Sequence, residues 1–532
     1  MQIKVWYYGV NNQTYITDVA GVIFNLTVDG KEVVVSNQNT LSRQDINFCN
    51  GYNKLLTLQI GQSFKYDNTI ENNLPYKNSF LVEKSRNFIE RKRKNLTLGE
   101  KICGQIIKGN LVDFKKECVG FVSLDIYSET EQTIVVSFGE YLTDKGTVLR
   151  IWEERDFSFE YVLKPGENKL FNSFRRCGLR YIDIESEKPI KINEVAILPV
   201  NYPLTTVPYK LENDLDQRIY DTCVYTLRSC MHEHYEDCPW REQALYSMDG
   251  FNEMRGGFYA FNEIEYARYN LMFISRGIRS DGLLSICYPT GRDIPIPSFS
   301  LVYFRTVEEY VKFTNDRSVL PEILPVLKKI KEAFESRIDE NNLIPCFEFP
   351  CWNFYEWSVG SDREYQITRK PEDVEPRKYD LIINCMYLYA MQSYCNLTGE
   401  VIDFEPMKKA INDTFYVNGL YKLCTDGEIY GQLGNVFAVL SGVADKSLVE
   451  KIINDKSLVP CTLSMKTFLY EAVDDKDFIL NDIRNDYSYM LDAGATTFWE
   501  TINGVKIDVA GSLCHGWSTI PIIYFNKYLN KK

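Results

Sequence analysis

At 532 residues the chain exceeds one ordinary domain, and its length suggests about three. Its hydrophobic content of 45% is that of a globular protein, and 14% of its residues are aromatic. A net charge of −13, with no long basic run, argues against a nucleic-acid or anionic-membrane partner.

The N-terminus, Met1 to Gly9, lacks the basic and apolar regions of a signal peptide. No apolar run reaches the ~18 residues a membrane span needs. Fifteen cysteines without regular spacing suit reduced thiols, and a cytoplasmic location is expected. Neither a cofactor nor a metal is expected. His232, His234 and His515 are the only histidines, and the spacings of Cys223/Cys230 and Cys346/Cys351 do not suit zinc. On the helix expected there, His232 and His234 point apart.

Up to about residue 205 the pattern is β. Ala20 to Val35 reads as two strands joined at Asp29-Gly30, a hairpin signal. Phe121–Tyr127 alternates with period two, and Thr133–Phe138 and Leu179–Ile184 do so less strictly. Turn signals at Lys145-Gly146 and Pro165-Gly166 separate them, as in a β-sandwich. The charge-rich stretch Glu83 to Lys101 marks a boundary between two β units. The three prolines between Pro199 and Pro208 mark a linker.

After residue 211 the pattern is helical. Helices are expected at 213–235, 239–256, 258–278, 300–315, 320–338, 378–397, 404–416, 430–443, 447–455, 462–473, 476–491 and near 515–528. Such a series is compatible with an (α/α)6 barrel and equally with a helical array, although no fixed-length repeat favours a solenoid.

Three segments carry candidate chemistry. The first is Asp237-Cys238-Pro239-Trp240-Arg241-Glu242-Gln243, followed by Asp249-Gly250. With Pro239 at a first helical position, Glu242, Tyr246, Asp249 and Glu253 share one helix face. That face reads either as a carboxylate-lined pocket with one raised pKa or as a solvated surface with Arg241 pairing Asp237 or Glu242. The second is Cys351-Trp352-Asn353-Phe354-Tyr355-Glu356-Trp357. It reads as sugar platforms beside a hydrogen-bonding carboxylate, or as an aromatic surface loop. The third is Gly494 to Trp499-Glu500, then Gly511-Ser512-Leu513-Cys514-His515-Gly516-Trp517. Glu500 reads as a general base or as a strand-end glutamate. His515 reads first as a satisfied core histidine.

Taken in order, these segments resemble those of the family 78 glycoside hydrolases, the α-L-rhamnosidases. The family pattern Asp-Cys-Pro-x-Arg-acidic-Glu is matched by Asp237 to Glu242, then Asp249. Glu356-Trp357, Thr496-Thr497-Phe498-Trp499-Glu500 and Ser512-Leu513-Cys514-His515 follow, and Gly178-Leu179-Arg180-Tyr181 resembles the strand closing the family's β-sandwich. The resemblance implies N-terminal β-sandwich modules followed by an (α/α)6 barrel. The expected boundaries are an accessory region at 1–90, a jelly-roll-like β-sandwich at 91–205 and a catalytic barrel at 206–532.

The resemblance also implies an inverting glycosidase for terminal α-L-rhamnose. Asp237, Glu242 and Asp249 would line the sugar subsite. Arg241, Gln243, Trp352, Glu356, Trp357, Trp499 and His515 would bind sugar, and Glu500 would be the general base. Two departures matter. Gln243 stands where the family's general acid is expected, which passes that role to Glu242 or, preferably, Asp249. The chain also ends at Lys532, soon after His515, without the family's common C-terminal β-sandwich. A small glycoside or oligosaccharide is therefore expected as substrate rather than a polymer.

Overall fold

A computed structural model describes residues 3–7, 9–82, 91–171, 173–348, 350–362 and 378–529. Contacts divide the chain into two units. The first comprises Met1–Lys92, Thr97–Val200 and Trp240–Glu242; the second comprises Arg93–Leu96, Asn201–Pro239 and Gln243–Lys532.

The strand Leu111–Ser128 organises the first unit by dividing its pairing. Its N-terminal part pairs with Gln105–Lys108 and Cys177–Ser186, from which the sheet continues through Gln132–Gly139 and Ser158–Leu163 to Lys65–Asp67. Its C-terminal part pairs with Gly166–Phe171 and Ile190–Asn201. A register shift between Asp113 and Cys118, with Lys115 at φ 68°, bends the strand between these roles. Bent in this way, the strand carries the single ten-stranded sheet round a corner. The alternation read from sequence has its cause here: Val122, Leu124 and Ile126 face the core, as do Ile134, Val136 and Phe138 on the strand Gln132–Gly139. The expected hairpin is Asn25–Val28 with Lys31–Val35, its turn made by Asp29 and Gly30 at φ 49° and 75°. The expected boundary at Glu83 to Lys101 falls partly on residues 83–90, outside the described residues.

In the second unit, outer and inner helices alternate. The outer set is α1 (Asp214–Ser229), α3 (Ile264–Ser275), α5 (Leu320–Glu335), α7 (Glu405–Phe415), α9 (Leu448–Asn454) and α11 (Lys476–Asp492). The inner set is α2 (Ser247–Ala260), α4 (Pro297–Thr314), α6 (Leu381–Thr398), α8 (Gln432–Leu440), α10 (Lys466–Val473) and α13 (Pro521–Leu529), the last preceded by a short α12 (Ile507–Ala510) and the 3-10 turn Gly516–Thr519. Packing runs α2–α4–α6–α8–α10. Tyr524 of α13 closes the ring by meeting Tyr470 of α10 at 4.9 Å, and α13 packs on α2. This is an (α/α)6 barrel, and the array alternative is set aside.

Sequence explains the division of labour. On α5 the buried residues Ile323, Leu327, Ile330 and Phe334 make a single stripe. On α6 nearly every residue from Leu381 to Tyr394 is buried, as an inner helix requires.

Two layers fill the barrel below the starts of the inner helices. An aromatic layer joins Phe251, Tyr389, Phe437 and Phe468, with Phe251 stacked on Phe468 at 5.6 Å. Beneath it Arg305 pairs with Glu308, with Glu309 at 3.1 Å and with Glu471 at 3.0 Å, while Arg255 donates to Thr467 at 2.6 Å.

Two expected helices are corrected. The one placed at 239–256 begins at Ser247, because residues 237–244 form a closed turn with Gln243 at φ 52°, which a right-handed helix does not admit. The one placed at 213–235 ends at Ser229. His232 and His234 therefore lie on a turn closed by the Met231–Tyr235 bridge, not on a helix.

Candidate active site

The loop after α1 folds through side-chain and backbone bonds. The Asp237 amide donates to Ala244 O at 3.0 Å, and the Ala244 amide returns a bond to Asp237 Oδ1 at 2.9 Å. The Gln243 amide donates to Cys238 O, and its carboxamide Nε2 donates to Pro239 O at 2.7 Å. Gln243 thus closes the turn with its own side chain. Asp237 O accepts the Gly516 amide at 2.8 Å, which fixes this loop to the 3-10 turn.

His515 lies between two aspartates. Its Nε2 is 3.9 Å from Asp237 Oδ2 and its Nδ1 is 3.6 Å from Asp249 Oδ1. All three residues are at most 3% exposed. These separations exceed a direct hydrogen bond and lie within ion-pair range. Glu253 follows Asp249 by one turn of α2, so both carboxyls face the same side. Behind them Glu236 meets His232 Nδ1 at 3.1 Å. Burial raises the Glu253 carboxyl well above the usual range, and Asp249, Asp237 and Glu236 push it in the same direction.

Glu500 sits on a two-stranded return. Its amide donates to Ser512 O at 2.9 Å, the Thr501 amide donates to Ala510 O, and the His515 amide donates to Phe498 O. The Ser512 amide donates to Glu500 Oε2 at 2.9 Å, orienting the carboxylate. Gly511 is required beside it: a β-carbon there would stand 2.2 Å from Glu500 Oε2, and the backbone has φ 64°. Trp517 links this return to the aspartates, since its Nε1 donates to Glu500 O at 3.0 Å and its ring lies 4.1 Å from that of His515.

Glu356 joins the same region through α10. Its Oε2 accepts the Thr462 amide at 2.7 Å and the Thr462 hydroxyl at 3.0 Å, and its Oε1 accepts Ser358 at 2.9 Å. Thr462 meets Ser464, whose carbonyl accepts Asn252 Nδ2 at 3.1 Å. Asn252, between Asp249 and Glu253, also reaches Trp517 O at 3.4 Å. Burial pushes the Glu356 carboxyl up to about 7 against the opposing effect of these donors.

Trp352 and Trp357 gather on Phe354, with ring centroids 4.7 Å from it in each case. Trp357 is 38% exposed, whereas Trp499 is 1% exposed and belongs to the core. Arg241 and Glu242 belong to the β unit. There they pair at 3.1 Å, the Arg241 guanidinium lies 5.6 Å from the Trp152 ring, and Trp240 packs on Phe157 at 4.4 Å.

Within the barrel the structure therefore groups Asp237, Asp249 and His515, and ties Glu500 and Glu356 to them through Trp517 and Asn252. Sequence reasoning placed Glu253 on the carboxylate face without a role of its own, and assigned none to Glu236, Thr462, Gly511 or Gly516. The four-residue offset of Glu253 from Asp249 was the available signal. Among the described residues no cluster of His, Cys, Asp and Glu is arranged to hold a metal ion, and no helix is long and apolar enough to cross a membrane.

Comparison with known proteins identifies both units. The bacterial α-L-rhamnosidase concanavalin-like domain matches residues 107–199, and the bacterial α-L-rhamnosidase six-hairpin glycosidase domain matches residues 209–451. Among solved structures, the GH78 family rhamnosidase of Bacillus sp. GL1 superposes with a TM-score of 0.67 at 22% identity, covering 78% of this chain and 46% of its own. The rhamnosidase from Klebsiella oxytoca, solved with rhamnose bound, gives 0.65 at 18% identity, covering 82% of this chain and 90% of its own. The Streptomyces avermitilis α-L-rhamnosidase, complexed with L-rhamnose, gives 0.66 at 15% identity, covering 89% and 48%. The chain thus spans about half the length of the Bacillus and Streptomyces enzymes. A comparison with curated proteins gave no match. The two domain matches, in the same order as the two folded units, mean that the chain belongs to the α-L-rhamnosidase-like glycoside hydrolases of family 78.

Proposed function

We propose that the protein is an inverting glycoside hydrolase that releases terminal α-L-rhamnose, or a closely related sugar, from small glycosides. The observation that carries this reading is the arrangement around Trp517. It ties the oriented Glu500 carboxylate to a histidine set between Asp237 and Asp249.

In this scheme Asp249 gives its proton to the glycosidic oxygen as the bond to C1 breaks. Glu500 takes a proton from water as the water oxygen bonds to C1 from the opposite face. Inverting enzymes hold such carboxyls roughly 6.5–9.5 Å apart to admit the water. Asp237 and His515 bind sugar hydroxyls. Trp357 and Trp352 offer apolar faces to sugar C–H groups, and Glu356 holds their loop to the start of α10. Gln243, in the barrel unit, bonds through its carboxamide rather than giving a proton.

The reading keeps the accessory region at 1–90, the sandwich at 91–205 and the barrel at 206–532. It also places the enzyme in the cytoplasm, where thiols stay reduced; no disulfide occurs among the described cysteines.

Gln243 favours a second reading, in which the barrel binds sugar without hydrolysis or accepts a different sugar. Incubation with a panel of aryl glycosides separates the two. Turnover of the α-L-rhamnoside supports hydrolysis, and saturable binding without turnover supports the alternative.

A further inference from the structure

A cavity of about 670 Å³ lies between the outer helix α9 and the hairpin that follows the outer helix α7. It shares no residue with the candidate active site. The hairpin pairs Tyr416 with Tyr421 and Val417 with Leu420. Its two-residue turn, Asn418-Gly419, has φ of 52° and 87°, as a tight antiparallel hairpin requires. One wall of the cavity is aromatic. Tyr421 is buried and fixed by its hydroxyl, which donates to Asn412 Oδ1 at 2.5 Å. Tyr416 leans on it, with ring centroids 5.0 Å apart, and is 52% exposed. Leu448 and Ala444 add apolar surface.

The polar groups are of mixed kind, and several have bonding capacity to spare. Lys451 Nζ donates to Gly419 O at 3.2 Å and forms no ion pair among the described residues. A β-carbon on Gly419 would collide with that ammonium, so the turn is shaped to admit it. The Glu450 carboxylate and the Tyr416 hydroxyl have no hydrogen-bond partner among the described residues. Asn454 Nδ2 is spent on Glu450 O at 2.9 Å, which leaves its carboxamide oxygen open. Asp445 and Asp455, by contrast, are engaged by Ser447 and Ser457.

These properties narrow the ligand. Asp445, Glu450 and Asp455 against the one ammonium disfavour an anion. No group of His, Cys, Asp and Glu among the described residues is arranged to hold a metal ion. A sugar hydroxyl both donates and accepts, and so matches a carboxylate, an amide oxygen, a phenol and an ammonium together. The exposed Tyr416 ring offers a face to the C–H side of a pyranose. The volume falls within the range of small-ligand sites, about 300–1,000 Å³. The geometry points to a second, non-catalytic saccharide site on the barrel, which holds a short neutral sugar with one ring on Tyr416 and its hydroxyls on Glu450, Lys451 and Asn454. This site does not depend on the hydrolytic reading above.

Methyl NMR of protein 13C-labelled at its alanine and leucine methyls reads the cavity through Ala444 and Leu448. The ligands are L-rhamnose, maltose, cellobiose and lactose, with spermidine as a cationic control. At least one sugar should shift both signals saturably. Tyr416→Ala and Glu450→Gln, both at exposed positions, should each weaken that binding by about tenfold and leave turnover of an aryl α-L-rhamnoside unchanged. If Tyr416→Ala does not fold, Glu450→Gln decides alone. Absence of a saturable shift with all four sugars overturns the inference, as does native affinity in either folded variant. A response to spermidine alone assigns the cavity to cations and overturns it too. Failure of the native protein to turn over any glycoside defeats the hydrolytic reading, and the methyl titration still decides this site.

Discussion

The carboxyl of Glu253 occupies the space where residue 516 would carry a β-carbon, with Oε1 2.3 Å from that position. Gly516 is thus required by α2, and its amide in turn holds the loop of Asp237. Gly516→Ala must displace a buried carboxyl and should cost about 1–3 kcal/mol. Denaturant unfolding measures this. Combining it with Glu253→Ala should recover part of the loss, and strictly additive losses would mean that the two residues are not coupled.

Gly511 stands in the same relation to Glu500, but there the consequence is catalytic. Gly511→Ala should lower kcat well before it lowers stability, because the oriented carboxylate is what moves. Glu500→Gln should lower kcat by about 10²–10⁴-fold with little change in KM. Full activity of Glu500→Gln on any glycoside would remove Glu500 from the mechanism.

Glu356 links stability to pH. Its carboxyl is raised from 4.5 to about 7, so the folded protein binds the extra proton between those values. The contribution is fully present below pH 4.5 and is lost as pH rises through about 7. Glu356→Gln does not titrate. Its stability relative to the native protein should therefore rise across that window, by up to about 3 kcal/mol, and level off above it. Thermal unfolding at a series of pH values provides the measurement, and a difference independent of pH would contradict the assignment.

Trp357 is the half-exposed ring of the Trp352–Phe354–Trp357 group. Trp357→Ala should raise KM by about tenfold with kcat nearly unchanged, as expected for an apolar face that binds ground and transition states alike. A fall in kcat with KM unchanged would place the ring nearer the reacting bond.

The fold was largely legible because its elements follow simple periods. Alternation marked the strands around Val122 and Val136, and Ile323, Leu327, Ile330 and Phe334 marked an outer helix. Ring closure was not legible, since it depends on Tyr470 meeting Tyr524 across distant sequence. The segment 237–246 misled for a physical reason. Pro239 and carboxylates at helical spacing imitate a helix start, whereas the real turn is held by Asp237 bonding Ala244 and by Gln243 at positive φ. Neither leaves a periodic trace. Asp249 and Glu253 were read on one face and lie on one face. Asp249 lies 3.6 Å from His515 and Glu253 fits against the bare backbone of Gly516, neither of which hydrophobic patterning can reveal.

The central claim is hydrolysis with inversion, and the anomer of the first product tests it most directly. Proton NMR during rapid turnover of an aryl α-L-rhamnoside should detect β-L-rhamnose first, with the α anomer appearing only through mutarotation. Initial release of α-L-rhamnose would contradict the roles given to Asp249 and Glu500.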